Sequence, residues 1–117
     1  MKFTRECNAS GTHLQGYINT DYATLVGCFG EPDGNFDDYK SDANWDITFA
    51  DGTVACIYNW KNGRNYCGDA GEEVEYITQW NIGGRNPKAV AHVEAALDAY
   101  LKTICYKEPE QIEYFGA

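Results

Sequence analysis

The run Gln79-Trp80-Asn81-Ile82-Gly83-Gly84-Arg85-Asn86-Pro87-Lys88 places two glycines, an arginine and an asparagine before a proline suited to the first position of a helix. The opening N–H groups of a helix lack internal partners, and the helix dipole favours negative charge there. Gly83 and Gly84 would let a phosphate approach the backbone, and Arg85 would add a forked, charge-assisted contact. A plainer reading has Asn86 capping the helix and the glycines permitting a sharp turn. A second cluster is Tyr58-Asn59-Trp60-Lys61-Asn62-Gly63-Arg64-Asn65-Tyr66. Flat rings, amides and two cations suit a nucleobase that stacks while its edges and phosphates are bonded. The same aromatics could instead cover the rim of the core at a hairpin end.

Hydrolytic chemistry needs a nucleophile beside a base, or a metal with several ligands. His13 falls in an expected strand, and His92 on the side of the last helix away from its apolar stripe, where it reads as solvated. Asp46 and Glu75 could pair as carboxylates, but so could many acids of this chain. The five cysteines, Cys7, Cys28, Cys56, Cys67 and Cys105, stand at wide spacings without a CxxC, which gives zinc little support. Their odd number suits a reducing compartment, and Cys28, Cys56 and Cys105 read as small buried side chains. The spacing Asp33, Asn35, Asp37 echoes a calcium loop, yet the glycine and closing glutamate are missing, so a solvated loop is expected. No catalytic residue, metal or cofactor is therefore expected.

These groups need a frame. The 117 residues suit one domain, 1–117, and 23% charged with 15% aromatic residues is a globular composition. With 9 basic against 18 acidic residues, net charge -9, a nucleic-acid duplex is not the expected partner, although a local pocket could still hold a phosphate or two. No apolar run is long enough to span a membrane, and the first residues lack the apolar core of a signal peptide, so an intracellular, soluble protein is expected.

His13–Asn19 reads as a first strand, weakened by Gly16. Thr20 is the expected cap of a short helix with Tyr22, Leu25, Val26 and Phe29 on its apolar side, stopped by Gly30. Trp45, Ile47 and Phe49 alternate with polar residues up to Asp51-Gly52, and a second arm runs from Thr53 to Trp60, a hairpin. That arm is apolar on both faces, so it should be central and covered on both sides, or on one side by a partner subunit. Val74–Ile82 reads as another strand. Asn86 and Pro87 open the last helix, with Val90, Val93, Leu97, Leu101 and Ile104 as its stripe. The order β-α-β-β-β-α predicts an α+β domain: an antiparallel sheet of about four strands carrying two helices on one face.

Three runs, GTHLQGYINTDYATLVGCFGEP, WDITFADGTVACIYNW and EYITQWNIGGRNPKAVAHVEAAL, resemble small phage-encoded proteins of the Thoeris anti-defence 1 family, over roughly residues 11 to 97. The resemblance implies a non-enzymatic sponge in the cytoplasm of the infected bacterial host. Such a protein binds and sequesters the cyclic ADP-ribose signal of TIR-domain defence proteins. Some members are held to bind cyclic oligonucleotides too, and they assemble as homo-oligomers built from dimers. The family pocket uses an aromatic ring for adenine, an amide near the helix start and arginines for phosphates. Here Tyr76 or Trp80 would supply the ring, Asn86 the amide, and Arg85 or Arg64 the cation. Tyr58, Trp60, Gly83 and Gly84 complete the expected ligand-binding set. Beyond Arg85 the chain has no arginine, so a C-terminal cation would have to be Lys102 or Lys107, without the bidentate fork.

The tail residues Tyr106, Ile112, Tyr114 and Phe115 suit packing on a neighbouring subunit, or a frayed end. A different class of function also fits the composition. An acidic surface at Glu31 to Asp42 and Asp69 to Glu75 could block a basic host defence protein, as a DNA mimic does.

Overall fold

The chain is α+β with an open antiparallel sheet, as the sequence pattern predicts, but the sheet has five strands instead of four. The computed structural model describes residues 2–33 and 40–105. Its elements run β1 (Phe3–Thr4), β2 (His13–Asn19), α1 (Tyr22–Phe29), β3 (Asn44–Phe49), β4 (Val54–Tyr58), α2 (Arg64–Cys67), β5 (Gln79–Gly84) and α3 (Lys88–Cys105). The loop residues Asn35 and Asp37, the side chain of Cys105, and the tail residues Tyr106, Lys107, Ile112, Tyr114 and Phe115 lie outside what is described. No described helix is long and apolar enough to cross a membrane.

The strand order is β1-β3-β4-β5-β2. The expected hairpin forms: Phe49 and Thr53 close the turn at 2.8 Å, with Gly52 at φ 89°. That backbone conformation is open to glycine at little cost. Trp45, Ile47 and Phe49 of β3, Ala55 and Ile57 of β4, and Trp80 and Ile82 of β5 alternate onto one face. There they meet Leu25 and Phe29 of α1 and Ala89, Val93 and Leu97 of α3. Trp45 and Trp80 pack edge to face at 5.5 Å in the middle of this layer, both with no exposure. Burial of side chains this large, at about 25 cal/mol per Å² of apolar surface, makes the tryptophan pair the centre of the core energetics.

Several local expectations are corrected. Asp21, not Thr20, caps α1: its Oδ1 accepts from the Thr24 N–H at 2.8 Å. Thr20 instead donates its own N–H to the Thr78 carbonyl at 2.9 Å, continuing the β2–β5 ladder. β5 starts at Gln79, because Val74–Tyr76 forms a 3-10 turn that dips Val74 and Ile77 into the core. Glu75 therefore sits in that turn, next to Tyr22 on the helix-covered side, and makes no pair with Asp46 on the other face. His92 is not a solvated helix residue. Its ring stands edge-on to Phe49 at 5.1 Å, and its Nε2 lies 2.7 Å from Asp51 Oδ2, tying α3 to the hairpin turn. Of the α3 stripe, Val93 and Leu97 enter the core, whereas Leu101 and Ile104 are exposed.

β1 and β2 are consecutive in sequence yet occupy opposite edges of the sheet. Residues 5–12 must therefore cross it, about 19 Å for four strand intervals. Helices occupy one face, so this strap runs over the other. Thr48 Oγ1 donates to the Glu6 carbonyl at 2.9 Å, Cys7 Sγ faces the Ile47 carbonyl at 3.6 Å, and Thr12 Oγ1 lies 3.8 Å from Cys56 Sγ. Arg5 anchors the near end through the Phe29 and Glu31 carbonyls and Asp33. The strap explains why β4 is apolar on both faces: Val54 and Cys56 lie buried beneath it.

Candidate functional site

On the strap-crossed face, register sets the side chains in rows. Asn44, Tyr58, Asn81 and Tyr17 form one row; Asp46, Cys56, Gly83 and Leu14 form the next. A cavity of about 290 Å³ opens over these rows. Asn44, Asp46, Cys56, Tyr58 and Gly83 floor it, Ala9, Thr12 and His13 wall one end, and Ser41 and Trp60 wall the other. From the Cys56–Gly83 row to Trp60 is four residues of extended chain, about 13 Å.

Trp60 lies just beyond β4 instead of within its arm, 42% exposed, and its ring meets Tyr58 edge to face at 6.1 Å. The loop that presents it is fixed by the fully buried Asn59. Asn59 Oδ1 accepts from the Asp42 and Ala43 N–H groups at 2.7 and 3.1 Å, and its Nδ2 donates to Asp42 and Asn62. Ser41 Oγ donates to the Asn59 carbonyl at 2.7 Å. A buried amide satisfied this fully specifies a single loop conformation.

The Nζ of Lys40 lies 5.2 Å from the centroid of the Trp60 ring, and that of Lys61 lies 5.9 Å from it and 5.6 Å from the Tyr66 centroid. Lys61 is the one non-glycine residue with positive φ, 60°, among those described. Its N–H donates to the Lys40 carbonyl at 2.7 Å, which holds both lysines at the ring. Neither ammonium has a described carboxylate within 4.0 Å.

The expected site residues divide sharply. Tyr58, Trp60 and Gly83 meet in the cavity. Trp80 is buried in the core, and its Nε1 donates to the Ile77 carbonyl at 3.3 Å, so its ring is closed to a ligand. Tyr76, 72% exposed, stands in the 3-10 turn outside the cavity lining. Arg64 is taken by Glu73 at 3.1 Å and Asp69 at 4.0 Å. Lys102 lies exposed near the end of α3.

The opening turn is used within the protein. Arg85 donates through Nη2 to the Asn8 carbonyl at 2.6 Å and through Nε and Nη2 to the Ser10 carbonyl at 3.1 and 2.9 Å. It clamps the far end of the strap. Asn86 Oδ1 accepts from the Lys88 N–H at 2.9 Å, the plain capping role. A Cβ on Gly84 would stand 2.5 Å from Ala89 Cβ and 3.0 Å from the Val54 carbonyl, so this glycine lets α3 start hard against the sheet. Antiparallel pairing of Gly84 with Ala55 also puts this turn and the Trp60 loop at opposite ends of the sheet. Sequence reasoning missed Lys40, Asn44, Asp46 and the strap as parts of one site. Only the alternation of β3 hinted at the two floor residues.

Burial, and next the Asp46 charge, push the Cys56 thiol up to about 12, and burial raises Tyr58. Both therefore stay neutral near pH 7 and offer hydrogen-bond donors instead of charge. A second groove of about 380 Å³ lies between β2 and α3, but Glu94 and Asp98 line it without a cation, a poor setting for phosphates. No described cluster of three or more His, Cys, Asp or Glu is placed to hold a metal. Compared with known protein families, the chain matches none, and no curated protein matches its sequence.

Proposed function

We propose that this chain binds and sequesters a cyclic ADP-ribose-type signalling nucleotide without degrading it, as a phage anti-defence protein acting against Thoeris immunity in the host cytoplasm. The observation that carries the reading is Trp60 at the mouth of the sheet-face cavity, with two lysines around its ring that no described carboxylate neutralises. An adenine can stack on such a ring, the ammoniums can meet the diphosphate, and the polar floor can meet ribose hydroxyls. The resemblance stated above supplies the ligand class and the sponge mechanism. In that mechanism stoichiometric capture, not turnover, silences the signal. The cations in this reading are Lys40 and Lys61 in place of the arginines.

A thermal-shift series with cyclic ADP-ribose isomers, cyclic oligonucleotides and ADP-ribose tests this, followed by recovery of the ligand from heated protein. Ligand at 100 times its dissociation constant adds about 2.7 kcal/mol, a rise of several degrees in Tm for a chain this size. A shift with ligand returned intact supports sequestration, and altered ligand makes the protein an enzyme. No shift at all favours the second reading, an acidic inhibitor of a host defence protein. That reading draws on the exposed carboxylates Asp69, Glu72, Glu73 and Glu75 clustered around the α2 link.

A further inference from the structure

Trp60 at one end of the cavity lining has two ammoniums around its ring, and a carboxylate lies on the floor toward the other end. At the Trp60 end stand Lys40 and Lys61, with no described carboxylate within 4.0 Å. About 13 Å along the floor stands Asp46, whose Oδ1 accepts from Asn44 Nδ2 at 3.1 Å. Asp46 is held there from behind: its N–H donates to Asp33 Oδ2 at 2.7 Å, and Asp33 is in turn fixed by Arg5 at 2.9 Å. The cationic end is held too, because Lys61 keeps a left-handed backbone that a side chain adopts only at some cost in strain.

We infer that the cavity takes its ligand in one orientation, an anionic phosphate group between Lys40 and Lys61 and a hydrogen-bond-donating group, such as a ribose diol, at the Asp46 carboxylate. This rests on the nucleotide reading for the identity of the ligand, while the polarity itself rests on the charges. Reversal would set phosphate against Asp46 and away from both lysines. The class selected is therefore an elongated ligand with phosphate at one end and hydroxyls at the other, and a compact dianion satisfies only half the site.

NMR titrations with inorganic pyrophosphate and with ADP-ribose separate the two ends. Trp60 gives a clean indole N–H probe, because Trp45 and Trp80 donate theirs to the Gly30 and Ile77 carbonyls inside the core. Pyrophosphate is expected to move the Trp60 indole and the Lys40 and Lys61 amides while leaving Asp46 and Cys56 still; ADP-ribose is expected to move both sets. Lys61→Asn, which tolerates the left-handed backbone, should weaken both probes about tenfold. Asp46→Asn should weaken ADP-ribose about tenfold and leave pyrophosphate unchanged.

Pyrophosphate that leaves Trp60 unmoved, or Asp46→Asn tightening ADP-ribose while Lys61→Asn does nothing, would overturn the assigned polarity. Pyrophosphate at Trp60 with no response to any nucleotide would leave the cationic end standing and end the nucleotide reading.

Discussion

The Arg85 guanidinium reaches back across the sheet edge to the Asn8 carbonyl, 2.6 Å away, and brackets the Ser10 carbonyl as well. Residues far apart in sequence are thus fastened at the one point where the strap meets the start of α3. Arg85→Ala should cost about 1–2 kcal/mol, as loss of hydrogen bonds to a charged donor does. It should also raise hydrogen exchange at the amides of residues 8–12 above that of β4. Arg85→Lys, a point charge without the fork, should recover only part of the protection. Unchanged exchange in residues 8–12 would mean that the clamp does not hold the strap.

Gly83 and Gly84 are adjacent but face opposite sides. A Cβ on Gly83 would meet Tyr58, the His13 carbonyl and Cys56 at ordinary distances of 3.5 to 3.6 Å, whereas one on Gly84 would collide with Ala89. Gly84→Ala is therefore expected to destabilise by about 1–3 kcal/mol through overpacking. Gly83→Ala should keep stability within about 1 kcal/mol while filling the cavity floor and weakening nucleotide binding. Denaturant melts and the thermal-shift assay read the two effects separately, and equal losses of stability would refute the division.

Asn59 holds the Trp60 loop from beneath. Asn59→Ala strips the acceptor from the Asp42 and Ala43 N–H groups, an expected loss of about 1–3 kcal/mol for each donor left buried without a partner. Indole fluorescence should shift further toward that of free tryptophan as Trp60 loses its fixed seat. A fully stable variant would show that the loop is held elsewhere.

The Asp51 carboxyl is held well below its ordinary value of 3.8, first by the hydrogen bond from His92 and next by the Thr53 N–H. A depressed folded-state value means that the unfolded chain takes up the proton first as pH falls. The stabilisation is complete above about 3.8 and is lost below it. Asp51→Asn should lower Tm at about pH 6, and the gap to the unaltered protein should shrink toward about pH 2.5. A gap that stays constant with pH would separate Asp51 from the acid response.

Where the sequence spoke through period and turn chemistry, it was legible. The β3 alternation, the Asp51-Gly52 turn, the β2 strand and the Asn86-Pro87 helix start all stand as expected. β1 has only two residues, too few to show a period, and with it went the knowledge that the strap must cross the sheet. Val74–Thr78 carries strand-forming residues, yet packing of Val74 and Ile77 against the core wins as a 3-10 turn. The site was half legible. Tyr58, Trp60 and Gly83 come together and Asn86 keeps the plain capping role, but the partners of Arg64 and Arg85 and the burial of Trp80 are revealed only by the tertiary arrangement. Lys40 reaches Trp60 through a backbone bond between loops, a contact that no local pattern encodes.

The strand order also fixes when the protein can exist. Among the described strands β2 pairs only with β5, and Gln79 follows its partner Asn19 by 60 residues. A ribosome therefore releases β2 and α1 long before the strand and the helix they lean on have been made. The hairpin of β3 and β4 can form early, but the sheet has no second edge until the last third of the chain emerges. Folding is then a single late event, and a nascent chain stopped before Gln79 holds an apolar strand pair with nothing to cover it. Premature termination should yield material for proteases, not a smaller working domain.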